Sequence, residues 1–315
     1  MKTRLGLVRR NDATGLGYQT RALEVMLQPD EILSIDRGDA IPTYQEYEAF
    51  LKKIDIMITC ETPYIYDAWN WARLLGVKTY CQPNWELFDG LVQPNMPHPD
   101  QYLMPSYWHL EDMQALFPNT VYLPPPTIDM PRSLHTGKPR FSHIVGSNAI
   151  YDRNGWGLLR DALQFTKSDF ELVVFSQVEI TGIHDSRVTY NIFSVEDNSD
   201  MYRDFDGLIL PRRYGGLCLP MNEALMSGVP VMMTDIEPNN RILPKEWLLP
   251  AYVGATFEGR STIDVYNVEP QQLAWKIDQW CAQLPDKDLA YQIGHDNYST
   301  TILKPKYQVL FQQGL

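Results

Sequence analysis

The sequence predicts an α/β protein built of parallel sheets and arranged as two domains in series. Three observations point there. Short apolar runs of strand length alternate with stretches of helical periodicity, the order of βαβ units. Pro124, Pro125 and Pro126, followed by a Ser/Gly/Lys/Pro-rich run at 131–139, interrupt that alternation, and it restarts beyond them. A chain of 315 residues also favours two domains over one.

In the first half, residues 5–8 form an apolar burst between Arg4 and the pair Arg9 and Arg10, and read as a strand. The polar glycine loop 11–17 follows, then a helix over 18–27. A strand at 31–35 leads to a helix at 43–53, with Thr43 placed to cap it. A strand at 54–59, a helix from 64 to 75 stopped by Gly76, and a strand at 77–81 continue the pattern. Residues 83–99, rich in Pro and Asn and holding Trp85 and Phe88, read as a long irregular loop of the kind that often carries function. A strand at 101–104, a helix at 108–117 and a strand at 120–123 complete this half.

In the second half, strands are expected at 142–145, 171–175 and 188–193, and helices at 156–165 and 199–205. Leu208, Ile209 and Leu210 form a β-rich run, and Tyr214-Gly215-Gly216 turns the chain after it. Pro220 suits a first helical position, where its missing N–H costs nothing. Gly228 suits the helix stop, and 229–233 is another strand. Strand, glycine turn and helix start together offer free N–H groups and a positive dipole end to an anion. Glu223 is expected in that helix's first turn, where its carboxylate can accept bonds from sugar hydroxyls. An anion and a ribose side by side mean a nucleotide. Further on, 270–280 fits a helix with Leu273, Ile277 and Trp280 on one face, and a last helix lies near 302–311.

The stretch 211–235, PRRYGGLCLPMNEALMSGVPVMMTD, resembles the signature of the glycogen synthase-like, retaining GT-B glycosyltransferases, roughly P-S-x-x-E-G-F-G-L-P-x-x-E-A-x-A-x-G-x-P-V-x-x-x-D. It aligns without a gap, matching at Pro211, Gly216, Leu219, Pro220, Glu223, Ala224, Gly228, Pro230, Val231 and Asp235. The resemblance implies a GT-B architecture, two Rossmann-like domains facing each other across a cleft. Residues 1–130 would be the acceptor-side domain, 131–140 the linker and 141–295 the nucleotide-sugar domain, with 296–315 a helix crossing back to the first. The family's first glutamate, which contacts the transferred sugar, falls here on Gly215.

By the same resemblance, Glu223 holds the ribose, and the amides of Gly215, Gly216 and Leu217 meet the diphosphate and sugar. Gly15 and Gly17 let the backbone approach the donor. Ser147 lies at the end of the second domain's first strand. Asn154 stands at the family's lysine position, which leaves Arg153 or Arg212 as the phosphate cation. Phe193 and Ser194 take the base. Glu61 and Asn84, at two neighbouring strand ends, are the catalytic candidates; relatives carry a histidine near the reacting sugar at the second of these ends, and none occurs here. The implied activity is hexosyl or pentosyl transfer from a nucleoside diphosphate sugar to an unknown acceptor, with retention and with neither cofactor nor metal. A GT-B sugar-nucleotide epimerase and a non-catalytic nucleotide-sugar binding protein are the alternatives, the second suggested by Gly215.

Composition agrees with an ordinary globular protein, 21% charged and 44% hydrophobic. A net charge of −12 disfavours non-specific binding to nucleic acid or anionic membranes. Cys60, Cys81, Cys218 and Cys281 make no CxxC pair, and the six histidines make no ligand pair. Reduced thiols, no signal-like leader and no apolar run near about 18 residues lead to the expectation of a cytoplasmic protein.

Overall fold

The structure, a computed structural model, describes residues 3–36, 41–147, 151–192, 195 and 197–313. The chain divides into two compact units. One takes the described residues of Met1–Ile128, with Gly259–Ser261 and Tyr298–Leu315; the other takes Asp129–Glu258 and Thr262–Asn297.

The first unit begins β1 (Leu5–Arg10), α1 (Gly15–Leu27), β2 (Glu31–Ile35), α2 (Tyr44–Leu51), β3 (Ile56–Cys60), α3 (Asp67–Leu74) and β4 (Lys78–Gln82). It continues through β5 (Gln101–Met104), α4 (Leu110–Leu116) and β6 (Val121–Tyr122). The six strands form one parallel sheet in the order β2-β1-β3-β4-β5-β6. Every residue of β3 is buried, because helices cover both faces of such a sheet and its central strands run apolar throughout. Thr43 caps α2 as a capping box with Glu46. The order reverses between β1 and β3, and the crevice outside the strand ends at such a point is where ligands bind in this architecture.

The second unit runs β7 (Arg140–Gly146), α5 (Trp156–Leu163), β8 (Glu171–Ser176), β9 (Val188–Ile192), β10 (Gly207–Leu210), α6 (Leu219–Met226), β11 (Val231–Thr234), α7 (Asn239–Ile242) and β12 (Leu248–Leu249). A hairpin of β13 (Tyr252–Glu258) and β14 (Thr262–Asn267) follows, then α8 (Pro270–Ala282) and α9 (Lys287–Tyr298). Its parallel sheet has the order β12-β11-β10-β7-β8-β9, so the reversal lies between β10 and β7. Strands β10 and β11 are buried at every position. The chain then enters α10 (Thr300–Gln313), whose Leu303, Tyr307 and Phe311 recur every four residues and bury against Leu7, Leu23, Ile56 and Tyr80 of the first unit.

Several elements, the short α7 and β12 among them, differ from the sequence reading. The helix expected at 199–205 is only a 3-10 turn, Asn198–Met201. Tyr202, just after it, is fully buried and bonded to Glu223, so the chain turns inward there. The β13–β14 hairpin and α9 were not expected at all. Among the described residues no helix is long and apolar enough to cross a membrane. Cys60, Cys81 and Cys218 are buried and Cys281 partly so, all as free thiols.

Candidate functional site

The ends of β7 and β10 meet through the segment 211–218. Arg212 is 4% exposed and its guanidinium lies under the glycine turn. It donates to the carbonyls of Tyr214 (3.1 Å) and Leu217 (3.0 Å) and to Asn154 Oδ1 (3.4 Å). Asn154 in turn donates to the carbonyls of Ile144 (2.9 Å) and Val145 (3.3 Å) at the end of β7. One buried cation therefore ties the two strand ends together. Gly215 sits at φ +105°, and a Cβ there would lie 2.8 Å from Arg212 Nη2. Only glycine fits that position, for conformation and for space.

The turn presents unused donors. Among the described residues, the amides of Gly215, Gly216, Leu217 and Cys218 donate to no group. Cys218 leads into α6 without a side-chain cap, and Pro220 stands at the second helical position rather than the first. Gly215, Gly216 and Cys218 are buried, and N–H groups in such surroundings are as a rule satisfied, here by a ligand or ordered water. Gly228, at φ +68°, ends α6 as the sequence indicates.

Arg153 reaches the same turn from the α5 side. Its guanidinium stacks over the Tyr214 ring, 4.9 Å from the centroid, and Phe257 of the hairpin meets that ring edge-on at 5.2 Å. Arg213 is a brace: it donates to the carbonyls of Tyr151 and Tyr266 and to Asn267 Oδ1. The loop holding Arg153 is unusual, since Tyr151 and Asp152 both have positive φ, 56° and 50°. Asp152 turns back to accept from the amides of Trp156 (2.9 Å) and Gly157 (2.7 Å), so the start of α5 already holds its own carboxylate. Burial raises that carboxyl above its usual range. Ser147 is exposed, just past Gly146 at the end of β7.

Glu223 falls one position further into α6 than the sequence reading placed it, just past the first turn, since the helix begins at Leu219. Its carboxyl accepts from Tyr202 Oη at 2.7 Å and Asn198 Nδ2 at 3.5 Å. Burial pushes its pKa up to about 7, against the lowering effect of those two bonds. Phe193 and Ser194 lie outside the described residues.

In the first unit, Thr14 caps α1 and accepts from the Gly17 amide at 3.3 Å. A Cβ on Gly17 would lie 2.0 Å from the Asp12 carbonyl oxygen, so the loop closes only around glycine. Gly15 is the first residue of α1. A cavity of about 260 Å³ opens beside this loop, lined by Arg9, Arg10, Asp12, Gly17 and Arg21 among others. Glu61 and Asn84, at the ends of adjacent strands β3 and β4, are brought together: Asn84 Nδ2 donates to Glu61 Oε1 at 2.5 Å. Glu61 and Tyr64 both have positive φ, 59° and 67°. The guanidinium of Arg10 lies 5.9 Å from the Tyr64 ring centroid.

Sequence reasoning named the residues of the turn but missed what surrounds them. Tyr202 lies in a stretch read as plain helix, Asn198 just before that stretch, and Phe257 in a hairpin not recognised. The alternation there, with Ile263 and Val265 buried and Thr262 and Asp264 exposed, is a period-two signal that could have found the hairpin.

No family model matches the chain, and no curated protein matches it in sequence. Solved structures do resemble it. A glycosyltransferase from Rickettsia africae superposes with a TM-score of 0.68 at 12% identity, over 99% of this chain and 98% of its own. Sucrose-phosphate synthase from Thermosynechococcus elongatus gives 0.67 at 12% identity, over 99% of each chain. The chain has the GT-B fold. A third GT-B neighbour, the pneumococcal O-GlcNAc transferase GtfA in complex with UDP and GlcNAc, gives 0.60 at 15% identity over 85% of this chain. The chain spans 59% of that protein's length and 54% of TarM's. In GT-B terms, the loops described above are those at the carboxyl ends of the parallel strands in each unit.

Proposed function

We propose that this protein is a glycosyltransferase that moves a sugar from a nucleoside diphosphate sugar to an acceptor. The observation that carries the reading is the run of unused amides at Gly215–Cys218, set at an uncapped helix start beside a buried guanidinium. When the bond from the sugar to the diphosphate breaks, negative charge grows on the diphosphate. Donors already aimed at that charge, and the α6 dipole behind them, stabilise it without reorganisation. Arg153, stacked over the Tyr214 ring, supplies a cation, so the chemistry proceeds without a divalent metal. Glu223 accepts from the ribose hydroxyls. The base lies toward Phe193 and Ser194, outside the described residues. Glu61 and Asn84, with the Gly15–Gly17 loop, serve the acceptor and the transferred sugar on the first unit. Retention of the anomeric centre, and hexosyl or pentosyl transfer, follow from the motif resemblance at 211–235.

The GT-B fold supports the reading, as does the UDP bound by the pneumococcal neighbour, which makes uridine diphosphate sugars the first donors to try. A thermal-shift panel of uridine, guanosine and adenosine diphosphate sugars, with and without EDTA, tests it. At least one donor is expected to stabilise the fold, by about 2.7 kcal/mol at a hundredfold excess over Kd. EDTA leaves that shift in place. No stabilisation by any of them ends the nucleotide reading. Isomerised donor without transfer identifies an epimerase, and binding without turnover a carrier.

A further inference from the structure

Arg212 is a buried cation surrounded by neutral partners. Among the described residues no carboxylate pairs with it; its hydrogen bonds go to two carbonyls and one side-chain amide. A guanidinium is a cation, and a buried charge without a counter-charge is costly. Its backbone carbonyl is also held, accepting from the hydroxyl of Thr234. An anion bound at the turn would supply the missing counter-charge.

The geometry shows how the residue acts. In a trans peptide the C=O and N–H point in opposite directions. Arg212 draws the carbonyls of Tyr214 and Leu217 toward itself. The same two peptide units must then turn their N–H groups, those of Gly215 and Cys218, away from the guanidinium. Those are the first and last members of the unused run. Gly215 takes part by having no side chain, since a Cβ would enter the space of Arg212 Nη2.

We propose that Arg212 and Gly215 act as one device: Arg212 is a positioning residue that orients the amides of the diphosphate cradle and counterbalances the diphosphate charge, and Gly215 leaves it room. The proposal rests on the nucleotide reading above and adds a role to a residue first considered as a direct phosphate ligand. It predicts a signature that a merely structural arginine lacks, because the cradle serves phosphates and not the nucleoside.

The test measures Kd by calorimetry for UDP, GDP and ADP and for their nucleosides, on wild type, Arg212→Met, Arg212→Lys and Gly215→Ala, with circular dichroism to check folding. Arg212→Met is expected to weaken the best nucleoside diphosphate at least tenfold while its nucleoside binds as before. Arg212→Lys, which keeps the charge but not the planar fork, recovers part of the loss. Gly215→Ala, which keeps the arginine and displaces it, shows the same selective loss and decides the matter if Arg212→Met fails to fold. Unchanged diphosphate affinity in a folded variant overturns the proposal, and so does an equal loss for diphosphate and nucleoside. Wild-type protein that binds no nucleoside diphosphate overturns the nucleotide reading itself, and this proposal with it.

Discussion

Asn84 donates its side-chain amide to Oε1 of Glu61, 2.5 Å away, across the ends of two adjacent parallel strands. The bond joins residues 23 apart in sequence and holds a glutamate whose backbone is left-handed, φ 59°. A residue other than glycine gives up roughly 1–2 kcal/mol to sit there. Such strain persists where the surroundings fix it, most often beside a ligand.

Glu61→Gly should therefore separate stability from activity. Relief of the left-handed strain offsets the lost hydrogen bond, so the melting temperature holds or rises. Sugar transfer falls, while affinity for the nucleoside diphosphate, held on the other unit, stays the same. Asn84→Ala should lower kcat/KM about tenfold through the lost partner of Glu61. A Kd for the nucleoside diphosphate that changes in either variant would count against their assignment to the acceptor and transferred sugar.

Glu223 predicts a pH dependence of known sign. Its pKa is about 7 in the folded chain against the ordinary 4.5. The folded state thus holds this proton more tightly than the unfolded one. Its contribution to stability is full below pH 4.5 and is lost as pH rises through 7. Donor binding runs the other way, because ribose hydroxyls bond best to the ionised carboxylate. Between pH 6 and 8 donor affinity should rise while intrinsic stability falls. Glu223→Gln should flatten both curves and raise the donor Kd about tenfold.

Asp152→Ala should cost stability and spare the ligand. The side chain caps two amides at the start of α5 and sits at φ 50°, so the loss should be about 1–2 kcal/mol in a denaturant melt. Asp152→Asn should retain most of it. If nucleoside diphosphate bound more tightly to the alanine variant, the start of α5 would be a phosphate site that Asp152 blocks.

Gln82 carries the buried polar network of the first unit. It donates to Tyr307 Oη (2.7 Å) and to the Leu123 carbonyl (2.8 Å), and accepts from Gln19 (3.0 Å). Gln82→Leu takes this partner from Gln19 and from the Leu123 carbonyl, while Tyr307 keeps its bond to the Pro124 carbonyl (3.0 Å), and should destabilise by roughly 1–3 kcal/mol per orphaned group. Tyr307→Phe should cost less, since it removes one hydroxyl and leaves Gln82 its other bonds. The melting temperatures of the two variants, compared with wild type, check this ranking.

The parallel strands were legible because buried strands in such sheets are continuous apolar runs, as in Ile56–Cys60 and Gly207–Leu210. The turn at 211–218 was legible because glycine and proline at fixed spacing have few uses. The polar helix α9 was not: a helix reading KDLAYQIGHDNY has little apolar periodicity, and its place is set by close approach, with Gly294 against the backbone of Leu225. Nor could spacing show that Arg212 faces inward to carbonyls, since consecutive arginines before a turn look alike until the chain is folded. Burial and position divide Arg212, enclosed under the turn, from Arg213, half-buried against the hairpin.

The union of α10 with the first sheet sets an order of events during synthesis. Leu303, Tyr307 and Phe311 belong to the same core as Leu7 and Ile56, and the bond from Gln82 to Tyr307 spans 225 residues. All six strands of the first sheet are translated long before those three side chains exist. At about 5–20 residues per second, the ribosome takes on the order of ten seconds or more to cover that interval. Until then the nascent sheet carries an uncovered apolar strip where α10 will lie, and the second unit has the material to fold before the first is finished. The first unit to be made is the last to be closed.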